Sequence, residues 1–250
     1  MTRRILSGIA IAGVLLAGAG AAVAGADSAA EAARYNAQLG IAYLKQGKLE
    51  IARDKVERAL SQNSRDAVVQ TAAALLYDRL GDERRADRAY SAALRLDSRN
   101  PDMQNNYAVF QCRRGEHAKG EKLFEQAAKN PMYRTPAVAY ANAGVCARGA
   151  NDLARAEEYF RKALALQPTY PDALLQLADL AFARGNGLQA RAFLERYFTS
   201  TPATPDALAL GVRVERSLGD TAAANDYAAR LKRDFPSSQQ ARDLAAVQGG

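Results

Sequence analysis

From Ala33 onward, small, large and turn-forming residues recur at fixed intervals. Gly47, Gly81 and Gly115 fall 34 residues apart. Ala52 and Ala86 share that spacing, as do Ala59, Ala93 and Ala127, and Val56, Tyr90 and Phe124 form a parallel series of larger residues. Close packing of two helices per unit explains the pattern. A small residue at the eighth and twentieth positions lets the first helix of a unit approach the second, and a large one at the twenty-fourth fills the gap between them. Glycine at the fifteenth supplies the turn. Proline near the thirty-second ends the second helix before the next unit begins.

These intervals divide the chain into six units: 33–66, 67–100, 101–134, 137–170, 171–204 and 205–238. A short capping helix is expected over 239–250, fraying at Gly249-Gly250. A 34-residue, two-helix unit is the tetratricopeptide (TPR) period. The predicted fold is therefore all-α, a right-handed TPR superhelix of six two-helix units plus a C-terminal capping helix. Departures are local. The first two units end in Ser64 and Ser98 where proline is usual, and the third carries Gly120 where alanine is usual. In the fourth unit Gly144, Ala156, Phe160, Ala163 and Pro168 come into phase only after two extra residues, Thr135 and Pro136. The sixth is the most degenerate, with Gly219, Ala224, Ala228 and Pro236.

The N-terminal segment follows another pattern. Thr2-Arg3-Arg4 is basic, Ile5 to Leu16 is apolar and small, and Ala22-Val23-Ala24 is a small-x-small sequence. This predicts an export signal over 1–24, cleaved between Ala24 and Gly25, then a linker over 25–32. The expected location is exported, in the periplasm. As a membrane span the stretch is weakly apolar, being rich in Gly and Ala. Leu16-Ala17-Gly18-Ala19 reads as a bacterial lipobox with alanine where the lipidated cysteine would stand. A methyl group cannot replace the thiol nucleophile, so no acylation is expected at Ala19.

Composition agrees with helix over sheet: the 250 residues are rich in alanine, with no Trp and only eight Pro. The net charge is +7 from 34 basic and 27 acidic residues. Loss of Arg3 and Arg4 with the signal leaves +5 (7 − 2). The charges are interspersed, as on a solvated surface. No Lys/Arg block interleaves with aromatics, so no nucleic-acid partner is expected. The catalytic inventory is empty. The one histidine, His117, lies beside a turn and reads as an exposed turn residue. No second histidine or clustered cysteine supports a metal site, and no cofactor is implied. There is no nucleophile elbow and no glycine-rich phosphate loop. Glu157-Glu158, with Arg155 and Arg161 nearby, reads as helix salt-bridge partners. The chain is expected not to be an enzyme.

Two cysteines remain, Cys112 and Cys146, 34 residues apart. Without the insertion both would be the twelfth residue of their units. With it, Cys112 is the twelfth and Cys146 the tenth. Two residues turn an α-helix by about 200°, which lets one side chain face forward across the seam and the other face back. This predicts a disulfide between the first helices of units three and four, of the kind that persists in an oxidising compartment. The alternative is two small buried thiols at the same seam.

Without catalysis, binding remains. A TPR array presents a face built from its first helices. In unit one that face should include Arg34, Ala37, Ile41, Leu44 and Lys45; in unit two, Val68, Thr71, Leu75, Asp78 and Arg79; in unit three, Asp102, Asn105, Val109 and Arg113. Ile41, Leu44, Leu75 and Val109 form an apolar strip with a charged rim, suited to an extended or helical peptide. The alternative for Ile41, Leu44 and Leu75 is packing against neighbouring units. A carboxylate clamp of Asn and Lys/Arg is not expected, because Ala37 and Ile41 occupy its positions in unit one.

The run Asn105-Asn106-Tyr107-Ala108-Val109-Phe110-Gln111-Cys112 with Gly115, and Ala141-Asn142-Ala143-Gly144-Val145-Cys146-Ala147, resemble the third and fourth units of the type IV pilus biogenesis/stability proteins called PilW or PilF. Leu39-Gly40-Ile41-Ala42-Tyr43-Leu44-Lys45-Gln46-Gly47 and Ala127-Ala128-Lys129-Asn130-Pro131-Met132-Tyr133 are similar too. The resemblance spans about residues 35–240. It implies a six-unit outer-membrane lipoprotein that acts as a pilotin, bringing the pilus secretin to the outer membrane and helping it multimerise, or that stabilises the fibre. The implied partner is the secretin or another pilus assembly protein, held by a monomer in the early-unit groove. Ala19 departs from the family's acylated cysteine, which argues against membrane attachment by a lipid. A general periplasmic TPR scaffold, for another secretion system or for cell-envelope enzymes, is the alternative reading.

Overall fold

Between Ala67 and Thr221, most of the helix starts are marked by a capping side chain or a proline. The structure, a computed structural model, describes residues 19–248, with side chains described over 28–246. Among the described residues it contains thirteen α-helices: α1 (Ala19–Lys45), α2 (Leu49–Asn63), α3 (Ala67–Arg79), α4 (Glu83–Leu96), α5 (Pro101–Arg113), α6 (His117–Ala128), α7 (Pro136–Gly149), α8 (Leu153–Leu166), α9 (Pro171–Ala183), α10 (Gly187–Ser200), α11 (Pro205–Ser217), α12 (Thr221–Asp234) and α13 (Gln239–Gln248). Proline opens α5, α7, α9 and α11, where its missing N–H costs nothing.

Turns inside the hairpins use left-handed residues. Gly47, Gly81, Gly115, Gly185 and Gly219 have φ between 72° and 79°. The fourth hairpin has no glycine there, and Asn151 takes its place at φ 61°. Asparagine is among the few residues with a side chain that tolerate this region. In four hairpins the next residue caps the second helix through its side chain: Asp82 accepts from the Arg85 amide, Asp152 from Arg155, Asn186 from Gln189 and Asp220 from Ala223.

The described residues form two compact units, divided between Ser98 and Arg99. In the first, α1 pairs with α2 and α3 with α4. Its core holds Ala33, Ala37, Ala52, Val56, Ala59, Ala72, Leu76, Ala86, Tyr90 and Ala93. Gly40 fits against Val56: a methyl built on it would lie 2.6 Å from Val56 Cγ2. In the second, four hairpins run from α5 to α12, and α13 packs on α11 and α12. One continuous core joins Phe124, Tyr159, Phe160, Leu174, Leu177, Leu194 and Tyr197. Leu208, Val212, Leu231, Ala241 and Leu244 form a smaller cluster under α13.

The N-terminal expectation needs revision. Residues 25–32, expected as a linker, belong to α1, which begins at Ala19. Their composition is rich in alanine, the best helix former, and contains no proline. Of the lipobox-like residues Leu16, Ala17 and Gly18 lie outside the described residues, as does most of the segment read as an export signal. Ala19, Ala24 and Gly25 fall in the first part of α1.

Candidate functional site

In the first compact unit, helices α1 and α3 carry the early-unit residues expected to meet a partner. Arg34 is exposed, but its guanidinium is committed: Nε donates to Asp66 Oδ2 at 2.6 Å. Asp66 is the N-cap of α3 and also accepts from the Val68 and Val69 amides. Burial pushes the Asp66 carboxyl up, but hydrogen bonds from Arg34, Val69 and Val68 outweigh it and hold it below the usual range. Ile41 and Leu75 are half-buried, Asp78 likewise, and Lys45 and Arg79 are exposed. Leu44 departs from expectation. It is 6% exposed and belongs to the core, so it offers a partner no surface. It lies one helical turn beyond Ile41, close enough in angle to the hairpin seam for burial to win.

In the second unit, Asn105, Val109 and Arg113 lie on α5 beside the cysteine pair. Asn142 Nδ2 donates to Asn105 Oδ1 at 3.1 Å, linking α7 to α5. Cys112 and Cys146 are joined as a disulfide, with their Cα atoms 5.5 Å apart. A cavity of about 270 Å³ opens against them, lined in part by Val109, Arg113, Asn142 and Val145. His117 also lines it, and here the sequence reading was incomplete. The residue is half-buried at the start of α6, with Nδ1 3.6 Å from Cys146 Sγ. It was expected as an exposed turn residue because nothing local marks which way the first residue of a helix will face.

A larger cavity, about 580 Å³, lies further along the same unit, and the sequence reading did not anticipate it. Its walls come from α7, α9, α11 and α13, with Leu231 contributed by α12, and its apolar lining includes Leu175, Ala209, Leu210 and Leu244. One side is cationic. Arg148 Nη2 and Arg213 Nη2 approach the two oxygens of Asp179, at 3.1 and 3.6 Å, so two guanidiniums share one carboxylate. Arg148 also donates to Gln176 Oε1, Arg213 stacks over Phe182, and Arg216 stands beside them. The other side is acidic, where Asp206 accepts from Gln240 at 2.6 Å and Asp243 from Gln239 at 2.6 Å. Asp206 and Arg213 are seven residues apart on α11, about 10 Å of helix rise. The signal that could have found this site was the fourth-to-sixth-unit set Arg148, Asp179 and Arg213, one residue from each first helix.

Behind this face, α6 and α8 are tied by a buried polar cluster. The Tyr159 hydroxyl donates to Glu125 Oε1 at 2.8 Å and lies 3.3 Å from Glu121 Oε2, which Arg155 also approaches at 3.3 Å. Burial, and then the two carboxylates, push the Tyr159 hydroxyl well above its ordinary range. Lys129 Nζ donates to Glu125 Oε2 at 2.9 Å, so two cations balance the two carboxylates and the cluster reads as structural.

Paired antiparallel helices of this length, with this turn chemistry and an open face lined by first helices, define a tetratricopeptide-repeat protein. Tetratricopeptide-repeat family models match residues 71–135 and 147–214, and the chain belongs to that class. Within it, the chain is similar to pilus proteins. The chain is 28% identical over 209 residues to the type IV pilus assembly protein PilF of Pseudomonas aeruginosa, covering 84% of this chain and 83% of that one. The solved structure of Pseudomonas aeruginosa PilF superposes with a TM-score of 0.75 at 27% identity, over 89% of this chain and 99% of that one. The crystal structure of PilW, a widely conserved type IV pilus biogenesis factor, gives a TM-score of 0.76 at 27% identity, over 85% and 98%. Among the described residues no helix is long and apolar enough to cross a membrane.

Proposed function

We propose that this chain is a non-enzymatic protein-binding module of type IV pilus biogenesis. In this reading it works in the cell envelope after export, as a monomer, and holds a segment of a pilus assembly protein. The secretin, whose localisation or multimerisation it would assist, is the first candidate. The cavity walled by α7, α9, α11 and α13 carries this proposal. It combines an apolar floor with charges at two ends, and so can hold side chains and orient a polypeptide at once. The relationship to PilF and PilW supports the choice of system. In the first unit, Ile41, Lys45, Leu75 and Arg79 are assigned to a second contact surface, and Asn105, Val109 and Arg113 to the α5 edge of the second unit.

Binding of the purified secretin to the purified full chain, measured by calorimetry, tests the reading. Arg213→Glu with Arg216→Glu should weaken binding by roughly tenfold or more, because both are exposed on the cationic side of the cavity; circular dichroism checks that the chain stays folded without the Arg213 contacts to Asp179 and Phe182. Ile41→Glu with Leu75→Glu tests the first-unit surface separately. Absence of any binding to secretin or to other pilus assembly proteins would remove the proposal.

A further inference from the structure

His117, Cys112 and Cys146 come from three different helices, yet their ligating atoms all lie within 4.8 Å of one another. The proposed partner surface uses none of these three atoms. We propose that reduction of the Cys112–Cys146 bond uncovers a three-ligand site for a thiophilic divalent cation, Zn²⁺ being the type case, formed by the two thiolates and His117 Nδ1.

The geometry is close to what such an ion needs. Tetrahedral zinc holds sulfur at about 2.3 Å and imidazole nitrogen at about 2.0–2.1 Å, which separates two sulfurs by about 3.8 Å and a sulfur from the nitrogen by about 3.5 Å. Cys146 Sγ and His117 Nδ1 already stand 3.6 Å apart. The sulfurs need only move apart, and the cavity of about 270 Å³ on that side leaves them room, with a fourth position open to water. Cα atoms 5.5 Å apart suit two ligands on one ion as well as they suit a disulfide. Two thiolates balance the dication, while Arg113 on the cavity wall favours the thiolate form.

Two glycines leave room for the cluster. A methyl built on Gly120 of α6 would collide with Cys112 Sγ, and one built on Gly149 of α7 would come within 3.1 Å of His117 Cε1. Glycine weakens a helix interior, so Gly120 gives up helix stability to seat the sulfur, while Gly149, the last residue of α7, leaves room for the imidazole.

The chemistry balances with a dithiol reductant. It passes two electrons and two protons to the disulfide, which opens to two thiols, and itself closes to a disulfide. The cation then displaces both thiol protons to water and takes the lone pair of the neutral imidazole. Disulfide and metal are thus alternative occupants of one cluster, exchanged by the redox state.

The full chain, reduced by a dithiol, freed of it without air and checked for its helical circular dichroism, is titrated with Zn²⁺ alone against a chromophoric chelator. One equivalent should bind, the oxidised chain should bind none at this site, and the bound ion should protect both thiols from alkylation. His117→Ala keeps both thiols and should weaken binding by roughly tenfold or more. Cd²⁺ should give a sulfur-to-metal charge-transfer band in the parent chain. No stoichiometric binding by the reduced chain overturns the site. So does binding of equal strength in His117→Ala, including the case in which the reduced chain has unfolded and only its free thiols bind.

Discussion

Gly120 lies directly against the sulfur of Cys112: a methyl group in its place would collide with Sγ and come within 3.0 Å of the Ala108 carbonyl oxygen. The repeat pattern calls for alanine at this position, and the structure explains the smaller residue. The close approach of α6 to α5 leaves space for a sulfur or for a Cβ, but not for both. Gly120→Ala should therefore destabilise the oxidised protein by about 1–3 kcal/mol, as overpacking does. The loss should shrink after reduction, when Sγ is free to turn away. Urea unfolding with and without a reductant checks both parts, and equal losses in the two states would contradict the steric account.

Joining Cys112 to Cys146 closes a loop across the seam between two hairpins. By chain entropy the bond contributes about 3–4 kcal/mol. Cys112→Ala with Cys146→Ala should lower the urea midpoint accordingly and abolish the effect of reductant on the parent chain. Mass spectrometry of the protein isolated without reductant should show both thiols oxidised.

Gly144 repeats the principle with carbon in place of sulfur. A methyl there would lie 2.5 Å from the Phe160 ring, which is fully buried. Phe160→Ala should cost about 3–5 kcal/mol through the lost burial and the cavity left behind. Gly144→Ala should cost about 1–3 kcal/mol. The double variant should recover part of the sum, because the new methyl enters space the ring has vacated. Strict additivity in thermal unfolding would show that the two residues do not share a contact.

Tyr159→Phe removes the hydroxyl that donates to Glu125 and lies against buried Glu121. The expected loss is about 1.5–3 kcal/mol, the range for a hydrogen bond to a charged group with one partner left inside. Binding of the proposed partner should not change, since none of the cluster's residues lines the large cavity. A comparable loss of affinity in a folded Tyr159→Phe chain would reassign the binding surface.

Asp66 makes stability depend on pH. Its carboxyl lies below the ordinary value of 3.8 in the folded chain, so the folded state releases its proton more readily than the unfolded one. The resulting stabilisation is fully present above the unfolded-state value and is lost as pH falls through the folded one. Asp66→Asn keeps a capping oxygen but not the charge. The gap between parent and variant in thermal unfolding should be widest near neutrality and close below about pH 4. A gap that persists at the lowest pH would show that the charge is not its source.

The sequence alone determined the class of architecture: its 34-residue intervals mark equivalent positions in successive hairpins and its turn glycines mark the turn inside a hairpin, and both are legible because a two-helix unit has a fixed length. The all-α TPR fold followed from them, and the resemblance to the pilus proteins rested on the runs Asn105 to Cys112 and Ala141 to Ala147. Tertiary structure decided what depends on neighbouring hairpins. It buried Leu44, turned His117 toward Cys146, and gathered Arg148, Asp179 and Arg213 from three helices around one cavity. Those relations depend on the angle at which successive hairpins stack, and no single period records that angle, because it is the sum of many side-chain contacts across each seam.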